Sequence, residues 1–156
     1  MIRCAVATDA AAVAALLRDL NDEPGLSPER ITHESVARDL IGDPRALVLV
    51  AEQDGEAVGV ATAHPHYDTG ASRWGLFLND LYVAPAARRR GIARALVGAV
   101  AAEARRTGGR FVWWNADEGD ELALRFHRSL DVTEAGTIDF LLAGEAFERL
   151  AGMQER

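Results

Sequence analysis

Apolar positions along this chain recur in two rhythms, and each switch between them marks a new element. Residues 2–6 form a short apolar run that reads as a first strand, with Cys4 buried in it. Val13, Leu16, Leu17 and Leu20 then fall at i, i+3, i+4 and i+7, which predicts a helix over 9–21 with Thr8 as its N-cap. Pro24 and Gly25 place a loop over 21–27, and a second helix is expected over 32–41, ending near Gly42-Asp43-Pro44. Asp54-Gly55 separates two apolar runs, 46–52 and 56–63, and is a hairpin-turn signal. Gly59 inside the second run points to a bulge or to a close backbone approach.

After a polar, aromatic-containing loop over 65–74, residues 76–83 give the next strand. A long helix follows over 91–107, with Ile92, Ala95, Leu96, Ala99 and Val100 as its buried stripe and Gly108-Gly109 as its end. Residues 111–114 form a short buried strand in which Trp113 and Trp114 face opposite ways. An acidic turn leads to a helix over 121–130, with Leu122, Phe126 and Leu130 on one side. A last strand over 137–142 and a terminal helix over 145–150 complete the order β-α-α-β-β-β-α-β-α-β.

Composition narrows the class. The chain has 156 residues, 49% of them hydrophobic and 26% charged, and no repeat or long linker divides it, so one domain over 1–156 is expected. No apolar run approaches the ~18 residues of a membrane span and no secretory signal is evident, so a cytoplasmic protein without membrane association is expected. The lone cysteine, Cys4, excludes an internal disulfide. A formal net charge of −7 argues against broad nucleic-acid binding. It also singles out one cationic cluster, Arg88-Arg89-Arg90.

That cluster lies between a strand and a helix, in Leu81-Tyr82-Val83-Ala84-Pro85-Ala86-Ala87-Arg88-Arg89-Arg90-Gly91-Ile92-Ala93-Arg94. A helix start offers backbone N–H groups and the positive end of the macrodipole, which suits phosphate. Gly91 permits a conformation or an approach closed to other residues, and Ala93 keeps the next turn uncrowded. Neither a triphosphate-binding loop nor a dinucleotide fingerprint is present. A solvated charge run with a glycine cap is the plain alternative.

The pattern Arg88-x-x-Gly91-x-Ala93, preceded by Leu-Tyr-Val-x-Pro, resembles the acyl-CoA pyrophosphate signature of the GNAT-type N-acetyltransferases. The resemblance covers nearly the whole chain. It implies an α/β fold whose central mixed, mostly antiparallel sheet is flanked by helices, and acetyl-CoA as cosubstrate. It implies that Leu81, Tyr82 and Val83 pair with the pantetheine arm. Arg88, Arg89, Arg90, Gly91, Ile92, Ala93 and Arg94 would hold the diphosphate, with Asn115 and Asp120 assigned to the same cosubstrate. The segment from Ala63 to Val83 resembles the diamine (spermidine/spermine-type) acetyltransferases, whose Leu-Glu-Asp pattern here reads Leu78-Asn79-Asp80. In that family the Glu contacts the substrate amine, so Asn79 removes a charge. The family's later Tyr, taken as the acid that reprotonates the CoA thiolate, is His127 here, and the usual Asn is Asp120.

Acyl transfer needs a neutral amine, and an alkylamine of pKa about 10.4 loses its proton near pH 7 at a cost of roughly 4.6 kcal/mol. Asp80 is the carboxylate candidate, acting through water or serving as a structural hydrogen-bonding residue; alternation puts Asn79 on the opposite face. His127 is either the general acid, a residue packed on CoA, or a solvated helix position. His64, His66, Tyr67 and Asp68 are candidates for the acceptor pocket, and His64-x-His66 alone is a weak metal signal, so no metal is expected. One of Trp113 and Trp114 packs in the core while the other faces CoA or a dimer interface. Asp22, Glu23 and Glu29 either attract a cationic amine or form a solvated loop. These observations predict direct acetyl transfer to a primary amine, of small polyamine or amino-acid type, by a homodimer. A protein N-terminal or lysine acetyltransferase, a non-catalytic acyl-CoA-binding module and an acidic interaction protein are the alternatives.

Overall fold

The computed structural model describes residues 1–155 and divides into two compact units, Met1–Asp117 and the residues from Glu118 onward. The first unit is built on a five-stranded sheet in the order β1-β2-β3-β4-β5, with β1 Ile2–Cys4, β2 Leu47–Gln53, β3 Glu56–Asp68, β4 Arg73–Val83 and β5 Val112–Trp113. All neighbours are antiparallel except β4 and β5, which are parallel, as the helical crossover between them requires. The helices are α1 Ala10–Leu20, α2 His33–Val36 with a π-turn continuing it over Ala37–Ile41, and α3 Ile92–Arg106.

The sheet is buried on both faces, which explains why β2 reads as an unbroken apolar run. Val48, Val50 and Val60 point to one side and pack with Val13, Leu16 and Leu17 of α1 and Val36 of α2. Leu49, Ala51, Ala61, Ala63, Leu76 and Leu78 point to the other, against Leu96, Val100 and Ala104 of α3. The α3 stripe therefore runs at i, i+4, i+8, and Ala95 is exposed rather than buried. Gly59 meets both expectations raised for it. Val58 is bulged out of register, and a Cβ on Gly59 would sit 3.1 Å from Tyr82 O and 3.3 Å from Leu96 Cδ1.

Four expectations are corrected. Cys4 is exposed, because β1 is an edge strand. Thr8 lies inside a short 3-10 turn, Ala7–Asp9, and makes no cap; instead the Asp9 carboxylate accepts from the Val6 amide at 2.7 Å and from Arg3. Residues 65–74 are not a loop, for β3 continues to Asp68 and β4 begins at Arg73. Pro65 is tolerated there because β2 ends opposite Ala63: Pro65 pairs with Leu76, whose own N–H points to Phe111 O on the β5 side. Finally, 137–142 is no strand. Ile138, Phe140 and Leu141 are 80%, 91% and 91% exposed, and an apolar run becomes a strand only when another strand satisfies its backbone.

The second unit holds α4, Glu121–Arg128, and α5, Gly144–Ala151. Asp120 caps α4, its Oδ1 accepting from the Ala123 amide at 2.9 Å, and Leu122 is exposed. Among the described residues, no helix is long and apolar enough to cross a membrane.

The meeting of β4 and β5 depends on glycine. A Cβ on Gly75 would stand 2.5 Å from Phe111 O and 2.6 Å from Phe111 Cγ, so Gly75→Ala must push the two strands apart. That change is expected to destabilise the protein by about 1–3 kcal/mol in urea melts. Gly98→Ala on α3, where a Cβ meets nothing within 4 Å, should be neutral or stabilising by about 0.5–1 kcal/mol.

Candidate functional site

The parallel ladder between β4 and β5 consists of Leu76 opposite Val112 and Phe77 opposite Trp113. β4 then continues to Val83 while the chain after Trp113 leaves it, so Leu81, Tyr82 and Val83 lie on the stretch of β4 beyond the ladder. A bulge marks the same stretch. Thr62 pairs with Asp80 and Ala63 with Leu78, which leaves Asn79 as the extra residue, exposed. Strict alternation therefore fails here, and Leu78 and Leu81 both pack on the α3 side.

The bulge delivers Asp80 to the opposite face. Its Oδ2 accepts a hydrogen bond from Thr62 Oγ1, and Thr62 is 1% exposed. Burial pushes the Asp80 carboxyl above the usual range, against the Thr62 hydrogen bond, which lowers it. Asp80 also lines a cleft of about 280 Å³ with Leu17 of α1, Asn21 at the C-cap of that helix, Arg30, Ser35 of α2, and Asp39 and Leu40 of the π-turn. Asp22, Glu23 and Glu29 are exposed and do not line this cleft. Sequence reading missed Arg30, Ser35 and Asp39; a helix whose periodicity slips through an extra residue at 37–41 was their available signal.

The loop between β4 and α3 is anchored from three directions. Ala87 is buried against the α3-side core, the Arg88 Nε donates to Val83 O at 2.9 Å, and the Arg88 guanidinium lies 5.5 Å from the Tyr82 ring centre. Arg88 thus fastens the loop to the end of β4, although like Arg89 and Arg90 it is exposed. Gly91 is the N-cap of α3 in the left-handed region, φ +78°, where a side chain would be strained although space is open. The first helical bond runs from the Ala95 amide to Gly91 O at 3.0 Å, so the amides of Ile92 and Ala93 point out of the helix end. Arg94 is exposed on the first turn. This geometry suits a diphosphate.

The aromatic residues divide as strand alternation requires. Trp114 packs on the α3-side core. Trp113 is 46% exposed and meets His66 at 5.2 Å and Phe77 at 5.8 Å between ring centres. His64 stacks on Phe77 at 5.5 Å, whereas Tyr67 stacks on Trp74. His66 and Asp68 line a second cleft with Arg73, Phe111 and Trp113.

In the second unit, His127 is half-buried beside Phe126 on α4. Burial pushes its imidazole below the ordinary value, and the Asp120 carboxylate opposes that shift without cancelling it. Asn115 and Asp120 are both exposed, in different units.

The sequence model of the Acetyltransferase (GNAT) family matches residues 13–131. An uncharacterised N-acetyltransferase of Mycobacterium bovis is 32% identical over 143 residues, covering 87% of this chain and 88% of that protein. Another, of Bacillus subtilis, is 29% identical over 98 residues, 63% of this chain and 66% of the relative. Among solved structures, an aminoglycoside acetyltransferase from an uncultured soil metagenomic sample, in complex with trehalose, shares the fold at TM-score 0.78. It is 22% identical, over 93% of this chain and 96% of that one. An aminoglycoside N-acetyltransferase bound to a bisubstrate analogue of CoA and acetylneamine shares it at TM-score 0.77, with 24% identity over 90% and 95%.

The Asp80 environment has a measurable sign. An acid whose folded pKa lies above its unfolded value, about 3.9, is protonated more readily in the native state. Its burial therefore costs nothing below that pH and costs most above the raised value. Asp80→Asn keeps an acceptor for Thr62 and removes the charge. Its stability relative to the wild type should grow as pH rises from about 4 toward 7. A pH-independent difference in urea midpoints contradicts this account of Asp80.

Proposed function

The chain belongs to the acetyl-CoA-dependent acetyltransferases of the GNAT family, and on that premise we propose direct transfer of the acetyl group to a small primary amine held above Asp80. The reading treats residues 1–156 as one acetyltransferase domain working as a homodimer on a polyamine or amino-acid-like acceptor. The observation that carries it is a half-buried carboxyl lining a cleft, beside the bulge on the stretch of β4 that runs on past the β5 ladder.

The amine nitrogen attacks the thioester carbonyl carbon, the C–S bond breaks, and the electron pair leaves on the CoA sulfur. Before attack the ammonium must lose a proton, a step worth roughly 4.6 kcal/mol at pH 7 for an amine of pKa about 10.4. Asp80, held above the ordinary carboxylate range, is a stronger base than an exposed aspartate and takes that proton directly or through a water. The volume of the cleft supports a small amine-bearing group, since 280 Å³ falls just below the range of small-ligand pockets, about 300–1,000 Å³. Arg30 on the same cleft offers a partner for a carboxylate while Asp80 faces the ammonium, which supports an amino-acid-like molecule; the Asp39 carboxylate is already paired with Arg38. Asn79, bulged beside Asp80, offers an amide for the acceptor or the thioester oxygen. The diphosphate rests on the amides from Arg89 to Ala93, with Arg88 fastening that loop and Arg94 following on the first turn; Leu81, Tyr82 and Val83 face the pantetheine arm. Asn115 and Asp120 are held as further cosubstrate contacts.

His127 supplies the proton for the departing thiolate. The imidazole's lowered pKa makes its protonated form a readier donor to a thiolate whose conjugate pKa is about 8.5, while reducing how much of that form exists at neutral pH.

Thiol release from acetyl-CoA should be measured over a panel of diamines, amino acids, amino-sugars and lysine peptides. Turnover is expected on at least one small amine, with Asp80→Asn lowering kcat/KM by about 10²-fold or more. Gly91→Ala should raise the KM for acetyl-CoA. A CoA-induced thermal shift without thiol release on any amine identifies a binding module instead.

If His127 is the acid, kcat falls with rising pH through a pKa below the usual 6.5 or so, and His127→Tyr moves that fall to alkaline pH. The same pH profile in wild type, His127→Ala and His127→Tyr removes His127 from the mechanism.

A further inference from the structure

The second cleft, about 340 Å³, is lined by His66, Asp68, Arg73, Phe111 and Trp113. It lies on the Asp80 face of the sheet. Thr62, His64 and His66 alternate along β3, so all three share one face, and Thr62 is the residue bonded to Asp80. Four residues of strand separate Thr62 from His66, about 14 Å at roughly 3.4 Å per residue. His64 on Phe77, and Phe77 on Trp113, carry an aromatic surface along that distance.

The cleft has a fixed aromatic platform and balanced charge. His66 stands nearly perpendicular to both Phe111 and Trp113, at 84° and 69°, and Phe77 lies at 81° to Trp113, so the indole plane is set by its neighbours while 46% of the residue is exposed. Arg73 lies over Phe111, its guanidinium carbon 5.4 Å from the ring centre. Asp68 is opposite Arg73 in the β3–β4 register, and its Oδ1 accepts from the Gly70 and Ala71 amides, which holds the carboxylate in place at the turn.

We propose that this cleft is a subsite for an uncharged, hydroxyl-bearing ring, the distal sugar of an amino-sugar acceptor whose reactive amine sits at Asp80. The inference rests on the acetyl-transfer reading for the amine and on the cleft alone for the ring, and it replaces the polyamine or amino-acid-like acceptor with an amino-sugar. A second ammonium is disfavoured by Arg73 and a phosphate by Asp68. A purely apolar chain would take both charges out of water without giving either a hydrogen bond. A pyranose satisfies all of the lining: its C–H face covers Trp113, and its hydroxyls both donate to Asp68 and accept from Arg73. The separation of about 14 Å asks for an acceptor of more than one ring.

Two measurements test this. The protein with 15N-labelled tryptophan is titrated with methyl glucoside, which has no amine, and Trp113→Phe identifies the Trp113 indole signal among the three. A saturable shift of the Trp113 signal, with Trp74 unmoved, is expected; no shift at millimolar sugar overturns the subsite. The second compares kcat/KM for an aminodeoxy-maltotriose, whose three rings span the separation, and an aminodeoxy-maltose. The extra ring is expected to raise kcat/KM about tenfold, an effect of about 1.4 kcal/mol. That advantage should vanish in Trp113→Ala and return in Trp113→Phe. An advantage that survives Trp113→Ala, or never exists, also overturns the subsite. A Trp113 shift with no amine acetylated would instead uphold the subsite and overturn the acetyl-transfer reading.

Discussion

β4 and β5 hydrogen-bond at Leu76 and Phe77, and then part. That brief contact organises everything the sheet does afterwards. Gly75 and Gly109 make it possible, since a Cβ on either would strike the opposing chain: 2.5 Å from Phe111 O for Gly75, and 3.2 Å from the Gly75 Cα for Gly109. Strands that pair closely at one end and separate at the other leave backbone groups of β4 facing an opening, where an extended ligand can complete the sheet. The same separation sets the start of α3 at the end of β4, because the loop between them is short and doubly fastened by Ala87 and Arg88.

A sheet buried on both sides leaves little room for polar chemistry, and the bulge at Asn79 resolves that conflict. Without it, continued alternation from Leu76 and Leu78 would direct the residue at 80 into the α3-side core, where a carboxylate has no partner. With it, Leu81 and Val83 remain in that core and Asp80 turns to Thr62 and the α1 side. The irregularity thus protects the core and creates the cleft floor in one step. Bulges recur beside active sites for this reason: they re-aim one side chain without disturbing the strand that carries it.

Much of this was legible in the chain. The turn into α3 was readable because its requirements are local: a helix start, a glycine that must take positive φ, and a turn after a strand. The α1 stripe and the Asp-Gly hairpin were readable for the same reason. What escaped depended on partners distant in sequence. Pro65 argues against a strand until β2 is seen to end opposite Ala63, which leaves the proline's side of β3 unclaimed. Cys4 looks buried until β1 proves to be the sheet edge. The bulge at Asn79 left no residue signature, unlike the one beside Gly59. Residues 137–142 carry a strand's composition, yet their exposure shows that composition alone does not supply a partner.

The two candidate proton carriers are displaced by the same cause in opposite directions. Burial penalises whichever form is charged, so it raises the carboxyl of Asp80 and lowers the imidazole of His127. For Asp80, in the proposed role of base, the penalty would be useful, because a carboxylate that holds its proton more firmly draws harder on an ammonium. For His127, in the proposed role of acid, it would shorten the pH range over which a proton is on hand but make that proton easier to give. The thiolate, with a conjugate pKa of about 8.5, is the stronger base in that exchange, so the transfer runs downhill.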